Sequence, residues 1–231
     1  MKPLFRIPAP APAPAAVQLR RVTVQARGFK PIVFVACLAP LGLLVWRALT
    51  VQLGPNPEQT LIWTTGLWAL RLLLITLAIT PLRGVTGWTE LARLRRMLGL
   101  FAFTYALLHF TCYLWLVNGF SLSAVAKDVV KHPFVLAGMT ALTLMLPLAA
   151  TSTNRMIKRL GAARWKALHK LVYVVGVVAV FHYWWGKLAK NNTADPKIYA
   201  LVLASLLAWR LIKAWQVRRR QGRGQPADAR A

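Results

Sequence analysis

The sequence predicts an all-α membrane protein in which six helices cross the bilayer, and three observations support this fold class. Apolar residues make up 57% of the 231 residues. Only five acidic residues accompany thirty Lys and Arg, a lower acidic content than soluble domains of this length carry. The basic residues cluster between long apolar segments, which is typical of a multi-pass protein in membrane lipid. This clustering also excludes nucleic acid as the partner that the net charge of +25 would otherwise suggest.

Six apolar segments follow one another, and each has about the 20 residues that a helix needs to cross a bilayer. Residues 1–30 precede them and contain a Pro/Ala run with basic residues, so we predict a disordered basic tail without a signal peptide. The helices form one domain over residues 31–216, and residues 217–231 form a second basic tail. The predicted spans are 31–51, 61–82, 97–117, 133–150, 168–186 and 197–216.

The distribution of Lys and Arg predicts the orientation of the chain. Both tails and the alternate connections on their side of the membrane carry 21 basic residues, whereas the connections on the other side carry five. Basic residues favour the cytoplasmic side, so both termini are expected there. Every connection is short, and any flavin or nicotinamide domain is therefore expected on a partner chain.

Two histidines within these spans are predicted to lie at the same depth. His109 follows Arg96 by 13 residues and His182 follows Lys170 by 12, which corresponds to ~20 Å and ~18 Å of helix. Their spans, the third and the fifth, run in the same direction. Imidazoles within a bilayer are costly unless they are paired or ligated. We therefore predict that His109 and His182 hold the iron of one haem b from its two faces, an arrangement that favours electron transfer.

Two further residues are candidates for a cofactor site. His169 precedes His182 by 13 residues, or ~19.5 Å along the helix, so the two cannot share one iron. His169 could ligate a second haem near the cytoplasmic side with another ligand such as Met97, or it could contact a propionate, a quinone or a flavin. Arg71 lies near the middle of the second span, where a guanidinium is costly unless it is paired. It is a candidate partner of a haem propionate, the alternative being a contact within the helix bundle.

Four sequence motifs in this order resemble a known family. They are ITPLR at 79–83, RRMLGLFAFTYALLHF at 95–110, TST at 151–153, and RWKALHKLVY followed by HYWW between 164 and 185. The chain resembles the haem-binding membrane subunit of the bacterial periplasmic protein-methionine-sulfoxide reductase system, within the ferric-reductase-like transmembrane group. The resemblance extends over most of residues 31–216 and leaves out the Pro/Ala tail.

The resemblance implies a six-helix cytochrome b of the bacterial inner membrane. Such a subunit passes electrons to a periplasmic molybdopterin-containing reductase that repairs methionine sulfoxide, and has no catalytic residues of its own for that reaction. Its electrons would come from the quinone pool or a cytoplasmic flavin reductase, and FMN is associated with the family. His109, His169 and His182 match the haem-associated histidines. Superoxide-producing relatives carry two histidines on each of two helices, and the third span here lacks the inner one.

Two other functions are compatible with the same residues. The chain could be a self-contained ferric or quinone reductase that delivers electrons to a small acceptor. It could also be a non-redox transporter or assembly scaffold, although transporters usually show helices broken by Gly or Pro near their middle. Pro31 and Pro133 are the first residues of their predicted spans, and the other span prolines are Pro40, Pro81 and Pro147, two of which lie near span ends. No Gly-rich dinucleotide motif indicates a flavin or nicotinamide site within the chain.

Overall fold

The computed structural model describes residues 15–188 and 194–223, and no β-strand occurs among them. The first 14 residues and the last eight, which belong to the predicted tails, lie outside the described residues, as do residues 189–193. A 3₁₀ turn lies at Thr89–Arg93, and a π-helical turn lies at Tyr113–Val117. The helices are α1 (Ala15–Leu49), α2 (Pro57–Thr86), α3 (Leu94–Cys112), α4 (Leu122–Lys131), α5 (Pro133–Ala150), α6 (Asn154–Leu160), α7 (Ala162–Leu168), α8 (Leu171–Leu188) and α9 (Ala194–Arg223).

Six helical segments of the described chain are long and apolar enough to cross a membrane, which confirms the predicted fold class. Each contains or closely matches one predicted span. Helical structure extends beyond the apolar stretches, and α1 begins at Ala15, inside the segment predicted as a tail. The alternating prolines end at Pro14, and residues that favour helices follow. The six segments are Phe29–Leu49, Pro57–Thr86, Thr89–Val117, Pro133–Ala150, Ala162–Leu188 and Ala194–Arg219.

Helix α2 is the central element of the bundle, since eight of its residues are buried. It packs mainly against α3, and also against α1, α8 and α9, while α5 packs mainly against α8. The α2–α3 pair and the α5–α8 pair therefore form two halves. We call the end of the bundle where α2 finishes and α3 begins the basic end, and the opposite end the far end.

The short helix α4 covers part of the far end. Ser121 caps its first turn by accepting a hydrogen bond from the Ala124 amide. The Tyr113 hydroxyl donates to the Asp128 carboxylate over 2.6 Å, and His132 Nδ1 lies 3.3 Å from the same carboxylate. These contacts join α4 to the π-helical turn that follows α3.

A tyrosine of α3 stabilises α1 next to a proline within that helix. The buried Tyr105 hydroxyl accepts a hydrogen bond from the Leu41 amide over 3.0 Å and donates one to the Cys37 carbonyl over 2.8 Å. Leu41 and Cys37 are the donor and acceptor of one helical turn, and Pro40 lies within it. Proline opens the helix at such a position, and an inserted polar group can satisfy the separated backbone groups.

Replacing Tyr105 with phenylalanine is expected to destabilise the protein by about 1–3 kcal/mol, because two buried backbone groups lose their partner. Thermal unfolding of the purified protein in detergent measures this effect. Tyr199→Phe removes a hydroxyl from the more exposed groove between α2 and α9 and serves as the control. Equal unfolding temperatures for the two variants would contradict the bridging role.

Candidate functional site

The structure brings His109 and His182 together across the gap between the two halves of the bundle. His109 lies in the last turn of α3 and His182 in the second half of α8. Their ring centroids are 6.1 Å apart, and the ring planes meet at 73°. The two imidazoles therefore face each other at one depth, as their distances along the helices predicted.

A backbone carbonyl of a neighbouring helix orients each of these imidazoles. His109 Nδ1 lies 2.8 Å from the Ile62 carbonyl oxygen of α2, and His182 Nδ1 lies 2.6 Å from the Phe134 carbonyl oxygen of α5. A carbonyl only accepts hydrogen bonds, so each Nδ1 carries the proton in the neutral ring. The lone pair is then on Nε2, which is the form that binds a metal.

Two glycines make room for the imidazoles. A β-carbon on Gly66 would lie 2.9 Å from His109 Nδ1, and one on Gly138 would lie 2.8 Å from His182 Cε1. Gly66 follows the Ile62 carbonyl by four residues, and Gly138 follows Phe134 by four. Each glycine thus lies directly above the carbonyl that its histidine contacts, because residues four apart are neighbours on a helix. The same carbonyl-and-glycine arrangement occurs in both halves of the bundle.

A cavity of about 490 Å³ contains the two imidazoles. Apolar residues of α2, α3, α5 and α8 line most of it, and its size falls within the range of small-molecule and cofactor sites. The polar residues that line it belong to helix segments at the far end. They are Gln59, Tyr113, Tyr183, Lys187 and Asp195.

These residues fit a haem with two axial histidines. If both Nε2 atoms bind one metal ion, each bond measures ~2 Å, and each ring centre lies half the width of an imidazole beyond its Nε2. The two ring centres are then ~6 Å apart. The observed separation of 6.1 Å agrees with this value. Both Nε2 lone pairs are available, the walls are apolar, and Lys187 at the far end carries a charge opposite to that of the carboxylates on a porphyrin.

His169 lies elsewhere, between α7 and α8 near the basic end, and does not line the cavity. Its ring stacks on Trp165 with centroids 3.9 Å apart, and its Nδ1 lies 3.1 Å from the Trp165 carbonyl oxygen. The indole nitrogen of Trp165 donates to the Thr151 carbonyl. His169 Nε2 is buried and makes no hydrogen bond of ordinary geometry with the described residues, although the Leu148 backbone lies close to the same imidazole. His169 therefore has surroundings of its own, separate from those of His109 and His182.

Arg71 also lies outside the lining of the cavity. Its Nε donates to the Tyr199 hydroxyl over 2.9 Å, and its guanidinium carbon lies 5.0 Å from the ring centroid of Trp68. Both contacts belong to an open groove between α2 and α9. The depth of Arg71 follows from the sequence, but the direction of its side chain depends on how α2 packs.

Gly66, Gly138 and the carbonyls of Ile62 and Phe134 are the site features that sequence reasoning missed. Glycines within apolar spans are common at close helix contacts, so neither stood out. The available signal was their depth. Gly66 lies near the start of the second span, which runs opposite to the third span with His109. Gly138 likewise lies near the start of the fourth span, which runs opposite to the fifth span with His182.

Comparison with known proteins identifies the family. The profile described as "Ferric reductase like transmembrane component" matches residues 65–180, about half of the chain. No solved structure is detectably similar. Among curated proteins, the chain is 50% identical over 189 residues to the "Protein-methionine-sulfoxide reductase heme-binding subunit MsrQ" of Herminiimonas arsenicoxydans, covering 82% of this chain and 87% of the relative.

Two further relatives carry the same name. The protein of Polaromonas naphthalenivorans is 46% identical over 192 residues, covering 83% of this chain and 88% of the relative. That of Bordetella pertussis is 45% identical over 198 residues, covering 85% and 96%. The similarity includes both halves of the histidine-containing cavity. The chain therefore belongs to the MsrQ family of heme-binding subunits of protein-methionine-sulfoxide reductase, within the ferric-reductase-like transmembrane proteins.

Proposed function

We propose that the chain is an electron-transfer subunit that holds haem b between His109 and His182. The observation that carries this proposal is the pair of imidazoles 6.1 Å apart, each with its Nδ1 on a backbone carbonyl. The names of the relatives support haem as the ligand. When bound, haem would supply a one-electron carrier, and His109 and His182 would hold it.

The residues of the chain bind and orient this group and exclude water from it. His109 and His182 supply the two nitrogens, and the Ile62 and Phe134 carbonyls keep those nitrogens unprotonated and directed into the cavity. The apolar walls lower the local dielectric, which is one of the means by which a protein sets a redox potential. Lys187 is the cation of the cavity lining that would neutralise carboxylates of the haem.

We propose that the protein lies in the bacterial inner membrane with both termini in the cytoplasm, as the distribution of Lys and Arg indicates. The basic end then faces the cytoplasm and the far end faces the periplasm. Electrons would enter near His169 and the basic connection 151–167. They would leave from the cavity at the far end, where the connections 118–132 and 187–196 would receive the partner.

The proposed partner is a periplasmic, molybdopterin-containing methionine-sulfoxide reductase. The relatives' names place them in a reductase system of this activity, which supports the partner's reaction. The proposed donor is the quinone pool or a cytoplasmic flavin reductase, and FMN is proposed as an additional cofactor on the basis of the family resemblance. The catalytic reduction of the sulfoxide belongs to the partner.

His169 is proposed to take part in electron entry, either as a ligand of a second haem or by contact with a quinone or flavin. Its buried Nε2, which makes no hydrogen bond of ordinary geometry with the described residues, supports a ligand at this position. His169→Ala is expected to slow reduction of the haem by the donor at least severalfold while His109 and His182 keep their haem. Stopped-flow absorption at the Soret band measures the rate. His132→Ala is the control, since His132 contacts Asp128 at the far end. Unchanged rate and haem content would exclude His169 from electron entry.

Purification after haem-replete expression tests the proposed function. We expect Soret and α bands, and reoxidation of the reduced protein by the purified periplasmic reductase in the presence of methionine sulfoxide. Rapid reoxidation by a ferric chelate alone, with no acceleration by the reductase, would instead favour a self-contained ferric reductase. The absence of both absorption bands would exclude either redox function.

A further inference from the structure

Three helices bring arginine side chains together at the basic end. Arg83 belongs to the last turn of α2, Arg95 to the first turn of α3, and Arg210 to α9. Arg95 and Arg210 both bond to α2, at the Thr80 hydroxyl and the Leu77 carbonyl, and Arg83 follows Thr80 by three residues, so the three arginines lie at neighbouring positions along α2. Tyr173 of α8 lies among them, since its ring centroid is 5.1 Å from the guanidinium carbon of Arg210.

Neutral groups hold two of these arginines in place. Arg95 donates from Nη2 to the Thr80 hydroxyl over 2.9 Å. Arg210 donates from Nη1 to the Leu206 carbonyl and from Nη2 to the Leu77 carbonyl, over 3.0 and 2.5 Å. The Nε of Arg210 is buried and has no hydrogen-bond partner in the described part of the chain.

No carboxylate of the described residues neutralises this cluster. Glu90, the acidic residue nearest in the chain, forms its ion pair with Arg93 at 2.9 Å. Glu58, Asp128 and Asp195 belong to helix ends at the far end of the bundle. Like charges close together repel one another, and a partly buried cation without a counter-ion is costly. The described residues therefore leave the three arginines without a negatively charged partner.

We propose that Arg83, Arg95 and Arg210 form a binding site for a phosphate group. Guanidinium groups match phosphate oxygens in charge and in hydrogen-bonding geometry, and the cluster offers three such groups. Arg83 and Arg95 are exposed and can reach a ligand at the surface, and Arg210 offers its buried Nε from within. The phosphate can come from an anionic phospholipid of the adjoining leaflet or from a soluble phosphate monoester.

The test compares the full chain with the double variant Arg83→Gln/Arg95→Gln and the control Arg93→Gln. Arg93 has the same charge and belongs to the same connection, but it is already paired with Glu90. Native mass spectrometry measures how much phosphatidylglycerol the delipidated protein retains. Fluorescence titration compares flavin mononucleotide with riboflavin, which has the same ring system without the phosphate. Thermal unfolding verifies that each variant is folded.

We expect the affinity of the double variant for one of the two phosphate probes to fall at least about tenfold. The control should bind that probe like the unmodified chain. Selective retention of phosphatidylglycerol identifies a lipid as the source of the phosphate. Tighter binding of flavin mononucleotide than of riboflavin, with competition by inorganic phosphate, identifies a soluble source. Equal binding of both probes by the unmodified chain and the double variant overturns the site. Should the double variant fail to fold, Arg83→Gln alone decides, because the Arg83 guanidinium forms no hydrogen bond or ion pair within the described residues.

Discussion

Replacing either His109 or His182 with alanine is expected to abolish haem binding in the cavity. The two nitrogens face each other across one gap, so loss of either leaves a single ligand on one side. Most of the remaining lining is apolar, and no other histidine lines the cavity among the described residues. Purified variants should lack the Soret band of this haem, and haem per protein should fall essentially to zero if the cavity holds the only haem of the chain.

His132→Ala is the matched control for both variants, because His132 is at the far end but contacts Asp128 instead of the cavity. Its spectrum and haem content should equal those of the unmodified protein. A normal haem-to-protein ratio with unaltered bands in His109→Ala or His182→Ala would remove the basis of the proposed electron path.

Replacing Gly66 or Gly138 with alanine is expected to weaken haem binding without removing either ligand. The new β-carbon would lie 2.8–2.9 Å from an imidazole atom, a separation that real structures essentially never show. The ring must move, and its Nδ1 then loses the contact with the Ile62 or Phe134 carbonyl. Loss of such an outer contact typically lowers metal affinity about 10- to 100-fold. Competition with a haem-binding apoprotein measures the loss.

Gly99→Ala provides the control for these variants. Gly99 is also a helical glycine of the membrane-crossing region, but a β-carbon there would meet only Thr76 Cγ2 at 3.8 Å, an ordinary contact. Its haem affinity should be unchanged, and its stability should be equal or slightly higher because alanine favours helices. Equal haem affinity in Gly99→Ala and Gly138→Ala would show that haem binding by His182 does not depend on the space that Gly138 leaves above the Phe134 carbonyl.

Sequence was sufficient for the features that depend on distance along a helix. Apolar length gave six spans because a helix rises by a fixed amount per residue. The same rise put His109 and His182 at one depth, and their rings do meet there. Both predictions need only the position of a residue along the axis.

Features that depend on the rotation of a helix about its axis could not be predicted in this way. Arg71 has the predicted depth, but its side chain contacts Tyr199 in the groove between α2 and α9. The apolar spans provide little asymmetry from which to choose a face. The roles of Gly66 and Gly138 likewise depend on which helix lies opposite each histidine, and that pairing is a property of the assembled bundle.

The hydrogen bonds of Tyr105 have a consequence for biogenesis. The chain enters the membrane from its N-terminus, so α1 is inserted before the residue that completes it has been synthesised. Tyr105 follows Leu41 by 64 residues, which at ribosomal speed corresponds to an interval on the order of seconds. During that interval the turn at Pro40 cannot face lipid without a cost, because exposed backbone groups in hydrocarbon lack partners. The first helix should therefore remain close to the translocation machinery until the third arrives, and the two should leave it together.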